Sequence, residues 1–386
     1  MYILFATIGV LTVVVWTIIA VIVIPGLFHT KPLPSGDGDR CKRKGHSPKV
    51  SVILAARNEE AAIERTLHSL RQQRYPHFEV IAINDRSDDQ TGLIMERVKE
   101  QWLQLRVLHI RELPAGWLGK NHALWRGSLE ATGEWLLFTD GDIYFHEDAL
   151  ERSVSYVEDE RVDHLTVCPR LVINSLWLHA LIAFFLFNLI LILRPQNARN
   201  PHSKAFMGIG AFNMLKKNVY DAVGTHEKIC FRPDDDVQLG ALVKKSGYRQ
   251  HFIPAEKFNE VKWYSSVKEM VIGLEKNLLT AFRYSVLLPT LGTIPMIILY
   301  LMPFVGLFVT DGWMRLGSLY CVLLMFWMFW LTRRFFFFPL GLFFFMPVSA
   351  LLFAYTLIRS ALLAWKRGGI YWRGTFYSLQ DLKEKA

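Results

Sequence analysis

Two aspartates separated by one glycine, Asp140-Gly141-Asp142, follow an apolar run that is typical of a buried strand. Two carboxylates at a strand end can approach one hard cation, because Mg²⁺ and Mn²⁺ prefer oxygen ligands and often bind one or two carboxylates plus substrate phosphates. The glycine lets the backbone come close to a ligand. Turns are also rich in aspartate, so the tripeptide alone could equally be a solvated turn. It becomes a candidate site only together with other acidic segments.

A second acidic segment, Asp234-Asp235-Asp236, precedes a helical run that ends at Gly247. Aspartates at a helix start can cap the helix and complement its dipole, which explains one carboxylate better than three. Crowded carboxylates raise one another's pKa, and a raised pKa suits a general base at neutral pH. Polar clusters also follow two earlier apolar runs, at residues 57–60 and 84–91.

The first third of the chain alternates between two kinds of apolar pattern. Strand-like runs occupy residues 49–56, 79–83, 105–110 and 134–139, and helical spacing occupies residues 61–73 and 92–103. This alternation indicates a parallel sheet with ligands at the carboxyl ends of its strands. The polar clusters stand at those ends, so we predict an α/β domain with a site along one edge of the sheet.

The ordered motifs resemble those of family 2 glycosyltransferases with a GT-A fold, and are most similar to the bacterial membrane enzymes associated with carotenoid and hopanoid glycosylation. The residues that carry the resemblance are 52–60 (VILAARNEE), 84–89 (NDRSDD), 116–124 (GWLGKNHAL), 140–142 (DGD), 235–236 (DD), 247–248 (GY) and 369–374 (GIYWRG). They extend over nearly the whole chain, and their order is specific although each motif is not. The resemblance implies a nucleotide-diphospho-sugar transferase lobe with a Rossmann-like mixed sheet.

The resemblance also implies a role for each matching residue. The uracil and ribose of a nucleotide-sugar would be held by Ala56, Arg57, Glu59 and Asp85, and the diphosphate would lie near Lys120. Asp140 and Asp142 would hold the nucleotide and a Mg²⁺ or Mn²⁺ ion, Asp235 would belong to the donor site, and Asp236 would be the general base of an inverting transfer. Weaker candidates are His226, Lys276 and Trp372.

Simpler interpretations stand beside several of these roles. Lys120 precedes an apolar helix and could be a solvated first-turn residue, Asp85 could stabilise a turn, and His226 could be a satisfied structural histidine. Family members often have glycine where Arg86 stands. Residues 266–273 lack the Gln-x-x-Arg-Trp element of processive members, which favours transfer of a single sugar.

Apolar runs flank the α/β segment. Residues 3–24 carry no charge, are long enough to cross a bilayer, and lack the basic start and cleavage site of a signal peptide. We predict four regions: a transmembrane anchor at 1–30, a GT-A domain at 45–285 with interfacial helices near 176–193 and 263–284, a C-terminal transmembrane region at 286–365, and a cytosolic tail at 366–386. Three late apolar stretches favour three crossings, whereas the basic residues of the tail favour two.

Basic residues set the expected orientation. Lys31, Arg40 and residues 42–44 follow the first run directly, so the positive-inside rule predicts a lobe that faces the cytoplasm. The formal net charge of +9 is explained by basic residues beside anionic lipid headgroups, and no cluster of base-reading residues indicates a nucleic-acid partner. The four cysteines show no CxxC spacing, so we expect reduced thiols.

The apolar stretch at 176–193 could be a buried core helix or could lie in the membrane interface and bring a lipid to Asp236. Residues 207–213 would then line the acceptor channel. The sequence thus predicts a membrane enzyme that moves one hexose from a UDP-sugar to a lipid such as a carotenoid or hopanoid. The alternatives are a polyprenyl-phosphate or ceramide-like acceptor and a non-catalytic nucleotide-sugar-binding membrane protein. A transporter is disfavoured because no late span carries a charge well inside it.

Overall fold

The chain divides into two compact units in this computed structural model, which describes residues 2–30, 32–33, 47–255, 257–282, 285, 287–372, 375–380 and 382. The α/β unit comprises Lys31–Val172 and Pro195–Trp263, and the helical unit comprises Met1–Thr30, Ile173–Arg194 and Tyr264–Ala386. The stretch 173–194, which the sequence placed within the GT-A domain, therefore groups with the helical unit.

The elements alternate along the α/β unit much as the sequence patterns predict. The strands are β1 (Val50–Ala56), β2 (Phe78–Asp85), β3 (Leu105–Ile110), β4 (Trp135–Asp140), β5 (Tyr144–Phe145), β6 (His164–Cys168), β7 (Arg170–Leu171), β8 (Asn213–Lys216), β9 (Gln250–Pro254), β10 (Asn259–Val261), β11 (Gly369–Trp372) and β12 (Thr375–Ser378). The α-helices are α1 (Tyr2–His29), α2 (Ile63–Arg71), α3 (Thr91–Glu100), α4 (Gly119–Glu130), α5 (Ala149–Asp159), α6 (Leu176–Leu193), α7 (Lys217–Val223), α8 (Asp235–Lys245), α9 (Val267–Ala281), α10 (Leu287–Val309), α11 (Gly312–Phe336) and α12 (Met346–Arg367).

A seven-stranded mixed sheet forms the centre of the α/β unit, in the order β3-β2-β1-β4-β8-β6-β9. β1 pairs in parallel with β2 and β4, β8 pairs antiparallel with β4 and β6, and β6 pairs in parallel with β9. The predicted parallel arrangement of the first four strands is confirmed. The predicted mixed α/β fold is confirmed as well.

Both faces of this sheet are buried, which explains the continuous apolar runs of its central strands. Along β1, Val52 and Leu54 belong to one apolar cluster and Ile53 and Ala55 to the other, as expected for side chains that alternate between faces. Burying a large aliphatic side chain contributes roughly 1.5–3 kcal/mol. The buried sheet therefore holds the backbone at the carboxyl ends of its strands, and the side chains that follow, in fixed positions.

Five helices among the described residues are long and apolar enough to cross a membrane. These segments are Phe5–Phe28, Leu176–Leu193, Leu287–Val309, Gly312–Phe336 and Leu340–Arg367. The predicted apolar run at 3–24 is helical, and so are the three late stretches for most of their length. The segment α6 meets the same criteria of length and apolarity, although the sequence suggested a core or interfacial helix.

Several polar groups inside the helical unit are paired. Tyr300 Oη donates to Asn188 Oδ1 at 2.8 Å. The Glu275 carboxylate of α9 forms ion pairs with Nη1 of Arg359 and Nη1 of Arg367, both on α12, at 3.5 and 3.2 Å. The basic residues 40 and 42–44 and Cys41 lie outside the described residues. Among the described cysteines, Cys168, Cys230 and Cys321 are free, as expected for reduced thiols.

Candidate active site

Strand register places the polar clusters at one edge of the sheet. Ala56 pairs with Asn84, the residue before Asp85, and Ala55 pairs with Asp140. The carboxyl ends of β2, β1 and β4 therefore lie side by side, where open α/β sheets bind their ligands.

Two loops at this edge are joined by hydrogen bonds. The Asn58 N–H donates to Ser87 Oγ at 3.1 Å, the Asp88 N–H donates to Asn58 Oδ1 at 2.9 Å, and the Glu59 N–H donates to Thr91 Oγ1 at 2.8 Å. Asn58 has a φ of 56°, a left-handed conformation that asparagine tolerates better than most residues. Arg57 and Glu59 thus stand on a loop held against the one that follows β2.

Asp85 lies beside the start of α4. Its carboxylate accepts two hydrogen bonds from Arg86, at 2.7 and 3.0 Å, and its side chain is buried. Arg86 has a φ of 54°, so it keeps the left-handed backbone that glycine would adopt more readily. A Cβ atom at Gly119 would collide with Asp85 Oδ2, which shows how closely the helix start approaches this carboxylate. The pairing of Asp85 with Arg86 was not predicted.

Gly141 brings the Asp140–Asp142 turn against the end of β1. A Cβ atom at position 141 would lie 2.8 Å from the Cβ of Ala56. The carbonyl of Gly141 accepts a hydrogen bond from Thr66 Oγ1 at 2.9 Å. Asp142 lies in the same turn and is partly buried. The close backbone approach expected of this glycine is therefore present.

Lys120 stands between the two acidic segments. Its Nζ lies 2.7 Å from Asp140 Oδ1 and 3.7 Å from Asp235 Oδ1, and only 11% of its side chain is exposed. Burial of the ammonium lowers the pKa of Lys120, but the carboxylates of Asp140, Asp235 and Asp236 outweigh this and raise it. Lys120 is therefore a charged, enclosed cation and not a solvated first-turn residue.

Backbone acceptors fix α4 to the segment before α8. Asn121 Nδ2 donates to the carbonyls of Ile229 and Arg232 at 2.6 and 2.9 Å, and the Leu118 N–H donates to the carbonyl of Cys230 at 2.8 Å. These contacts span about a hundred residues of sequence, since Asn121 and Ile229 are 108 positions apart. They bring Lys120 to Asp235 and Asp236.

The three consecutive aspartates have different surroundings. The Asp234 carboxylate accepts hydrogen bonds from Nε and Nη2 of Arg232 at 3.0 and 3.1 Å and from Gln238 Nε2 at 2.7 Å. The Asp234 side chain makes no capping hydrogen bond to the backbone of α8. Asp235 is buried next to Lys120. The capping interpretation therefore does not account for Asp234.

Asp236 is held by two backbone donors. The Gly210 N–H donates to its Oδ2 at 2.6 Å and the Val237 N–H to its Oδ1 at 2.8 Å. Burial raises the pKa of Asp236, the charge of Asp140 adds to this, and Lys120 and the two N–H groups oppose it; the net direction is upward. A carboxylate with a raised pKa is suited to accept a proton.

Residues 207–210 run directly beside both acidic segments. A Cβ atom at Gly208 would collide with the carbonyl of Asp236, and one at Gly210 would lie 2.6 Å from Asp140 Oδ2 and 3.0 Å from Lys120 Nζ. The glycines thus permit the close approach that the sequence suggested. A lining role in an acceptor channel stays a prediction.

Of the weaker candidates, His226 lies at this site. Its Nδ1 is hydrogen-bonded to Tyr220 Oη at 2.7 Å, and its ring packs edge-to-face on Phe138 with the ring centroids 4.8 Å apart. His226 also lines a cavity of about 10 Å³ together with Lys120 and Asp236. Burial, with a smaller contribution from Lys120, lowers the pKa of His226 to about 3, so the ring is neutral. The side chains of Lys276 and Trp372 are outside the described part of the structure.

The donor set limits how a divalent cation could bind. Within the described ranges no three His, Cys, Asp or Glu side chains cluster as metal ligands. One oxygen of Asp140 is already paired with Lys120. An ion held by Asp140, Asp142 and the oxygens of a bound diphosphate fits this set, because Mg²⁺ commonly binds one or two carboxylates plus substrate phosphates.

Comparison with known proteins agrees with this geometry. Residues 51–224 match the model of glycosyl transferase family 2. They form a family 2 glycosyltransferase domain. The domain is 35% identical over 123 residues to poly(ribitol-phosphate) beta-N-acetylglucosaminyltransferase TarS of Staphylococcus aureus, covering 31% of this chain and 20% of that protein. It is 35% identical over 107 residues to 4,4'-diaponeurosporenoate glycosyltransferase of the same species, covering 28% and 27%.

A third relative is the putative teichuronic acid biosynthesis glycosyltransferase TuaG of Bacillus subtilis, 32% identical over 110 residues, which are 28% of this chain and 42% of that protein. The matches thus span less than half of the length of each of these relatives. Among solved structures, a mannosyltransferase from Pyrobaculum calidifontis in complex with GDP-Man and Mn²⁺ superposes with a TM-score of 0.54 at 16% identity, covering 93% of this chain and 98% of that one. This similarity supports the GT-A-like fold.

Proposed function

We propose that this protein is a membrane glycosyltransferase that moves one sugar from a nucleotide-diphosphate sugar, a UDP-hexose, to a lipid such as a carotenoid or hopanoid. One observation carries the proposal: Lys120 lies enclosed between Asp140 and Asp235, next to Asp236, at the carboxyl edge of a family 2 domain. The carotenoid acceptor is suggested by the similarity to 4,4'-diaponeurosporenoate glycosyltransferase.

The donor would bind across the ends of β1, β2 and β4. Ala56, Arg57, Glu59 and Asp85 would hold the uracil and ribose, on loops that the hydrogen bonds between residues 58–59 and 87–91 make rigid. The ammonium of Lys120 would attract the diphosphate. Its persistent charge suits that role, because the leaving diphosphate develops negative charge during transfer.

Asp236 would take the proton of the acceptor hydroxyl. Each of its carboxylate oxygens accepts one backbone N–H and retains further lone-pair capacity for that hydroxyl. Attack from the side opposite the diphosphate would invert the anomeric carbon. A Mg²⁺ or Mn²⁺ ion held by Asp140 and Asp142 would neutralise charge on the diphosphate.

The helical unit would anchor the protein in the cell membrane as a multi-pass protein, with the α/β unit in the cytoplasm. The apolar helices α1, α10, α11 and α12 and the basic residues after the first of them support this arrangement. Because α6 joins two segments of the same α/β unit, it would enter the membrane without crossing it. A membrane location suits an acceptor that does not leave the bilayer. The alternative acceptors are a ceramide-like lipid, whose hydroxyl would need the same base, and polyprenyl phosphate, whose oxygen is already ionised and would attack without it.

Transfer by the purified protein in nanodiscs tests the proposal. Labelled nucleotide-sugars are supplied together with lipids extracted from the native membrane, and the molecular masses of the lipid products are measured by mass spectrometry. We expect a lipid heavier by one hexose, and an Asp236→Asn variant that binds the donor but makes no product. A ladder of additions would overturn single transfer, and a wild-type protein that binds every donor without turnover would establish a non-catalytic binder.

A further inference from the structure

Three polar side chains lie buried behind Asp236 on neighbouring strands. Gln250 begins β9, His164 begins β6 and Asn213 begins β8, and each is at most 1% exposed. His164 and Gln250 are opposite each other in the β6–β9 register, and Asn213 is opposite Thr166 in the β6–β8 register. Buried polar side chains are costly unless they are hydrogen-bonded, so the partners of these three residues indicate what they hold in place.

The hydrogen bonds between these residues run in one direction. Gln250 Nε2 donates to His164 Nδ1 at 2.7 Å and to the carbonyl of Gly240 at 2.9 Å. Because Nδ1 accepts, the ring proton is on Nε2, which donates to Asn213 Oδ1. Burial lowers the pKa of His164 to about 4, so the ring is neutral and keeps this tautomer.

Both ends of the chain reach the backbone that holds Asp236. Asn213 Nδ2 donates to the carbonyl of Asp236 at 3.4 Å, and Gln250 Oε1 accepts from the Met207 N–H at 3.0 Å. Met207 begins the segment whose Gly210 N–H donates to Asp236 Oδ2 at 2.6 Å. The bonds therefore close a ring that runs from Asp236 through residues 207–210 and back through the three side chains.

We propose that Gln250, His164 and Asn213 form a positioning relay that holds the Asp236 carboxylate and the Gly210 N–H in register for proton transfer. The inference rests on the proposed role of Asp236 as general base. None of the three residues is a catalytic residue; each acts through the backbone of residue 207 or 236. Misplacing a reacting group by about 1 Å can lower a rate by about 100-fold, so a small shift of this backbone is sufficient to matter.

Asn213→Leu tests the relay, since it removes both the acceptor for His164 and the donor to Asp236 at similar volume. We expect kcat to fall by about 10- to 100-fold while the donor KM changes less than about twofold, because the donor's contacts lie on other loops. Ser51→Ala is the matched control. It removes a buried bond to Glu79 at 2.6 Å and one from the Gly133 N–H at 2.9 Å, at the opposite end of β1, and should leave kcat unchanged.

A pair of substitutions at position 164 provides an independent test if Asn213→Leu does not fold. In His164→Gln the side-chain amide nitrogen can take the place of Nε2 and still donate to Asn213 Oδ1. The shorter side chain of His164→Asn can take the place of Nδ1, which accepts from Gln250, but does not reach Asn213. We expect His164→Gln to retain a kcat about tenfold higher than that of His164→Asn. Equal losses in the two variants would overturn the relay.

Hydrogen exchange of the full-length protein measures the coupling without turnover. Amides of residues 207–212 should exchange about tenfold faster or more in Asn213→Leu and at the wild-type rate in Ser51→Ala. Unchanged exchange in Asn213→Leu would overturn the relay, and so would faster exchange with a kcat no lower than that of the control. A wild-type protein without transfer would instead overturn the proposed function, while the exchange rates would still decide the coupling.

Discussion

Replacing Lys120 with methionine removes the ammonium that lies 2.7 Å from Asp140 Oδ1 and 3.7 Å from Asp235 Oδ1, and keeps much of the length and the apolar stem of the side chain. The variant removes this cation from beside the buried Asp235 carboxylate and the partly buried Asp140 carboxylate. It also removes the positive charge proposed to attract the diphosphate of the donor.

The size of the effect follows from these distances. At an effective dielectric constant of about 20, the two attractions amount to about 6 and 4 kcal/mol. Desolvation of the ions offsets part of this, so removing one partner of such a pair costs about 3–5 kcal/mol of unfolding free energy. A lost charge-assisted bond to the diphosphate is worth about 1.5–3 kcal/mol, which corresponds to donor affinity weaker by about 10- to 150-fold.

The assay combines calorimetric titration of UDP-hexose with thermal unfolding of the detergent-solubilised protein. Lys99→Met is the control, because Lys99 forms an exposed pair with Glu96 at 2.9 Å and exposed pairs contribute about 1 kcal/mol or less. If Lys120→Met bound the donor and unfolded as Lys99→Met does, Lys120 would not belong to an enclosed donor site, and the assignment of the site would be refuted.

Three further predictions concern the same site. Gly141→Ala should raise the donor KM by about tenfold, because the new Cβ would lie 2.8 Å from the Cβ of Ala56 and would displace the Asp140–Asp142 turn. An unchanged KM in steady-state assays would contradict this. Asp236 accepts a proton only when it is ionised, and its pKa is raised, so activity should be lost as the pH falls through that pKa. We therefore expect the acidic limb of the pH profile of kcat to lie above the usual pKa range of an aspartate. A limb at the ordinary value would argue against Asp236 as the base. Chelation with EDTA should abolish transfer, and Mg²⁺ or Mn²⁺ should restore it, if Asp140 and Asp142 hold a cation; full activity in EDTA would exclude that role.

The sheet and its acidic edge could be predicted from the sequence because their signals are local. A run such as residues 50–56 is apolar at nearly every position, since both faces of the strand are buried, and the polar residues begin where the strand ends. Parallel pairing then places the ends of β1, β2 and β4 together. The pattern of apolar runs and polar ends is therefore sufficient to assign the candidate residues Asp85 and Asp140 to one edge of the sheet.

Contacts between distant parts of the chain could not be predicted in this way. The enclosure of Lys120 depends on bonds between Asn121 and the 229–232 segment, and the setting of Asp236 depends on the Gly210 N–H. No periodicity records such pairings. The stretch at 176–193 was ambiguous for a different reason, because an apolar helix of 18 residues can be buried in a protein core or lie in the membrane interface.

The mass of the lipid product tests the central claim most directly. Wild-type protein and Asp236→Asn are incubated in parallel with UDP-hexose and native membrane lipids, and the lipid extracts are compared by mass spectrometry. The proposed function predicts a lipid one hexose heavier with the wild-type protein and none with the variant. Equal amounts of product with both proteins, or none with the wild-type protein across the common nucleotide-sugars, would contradict it.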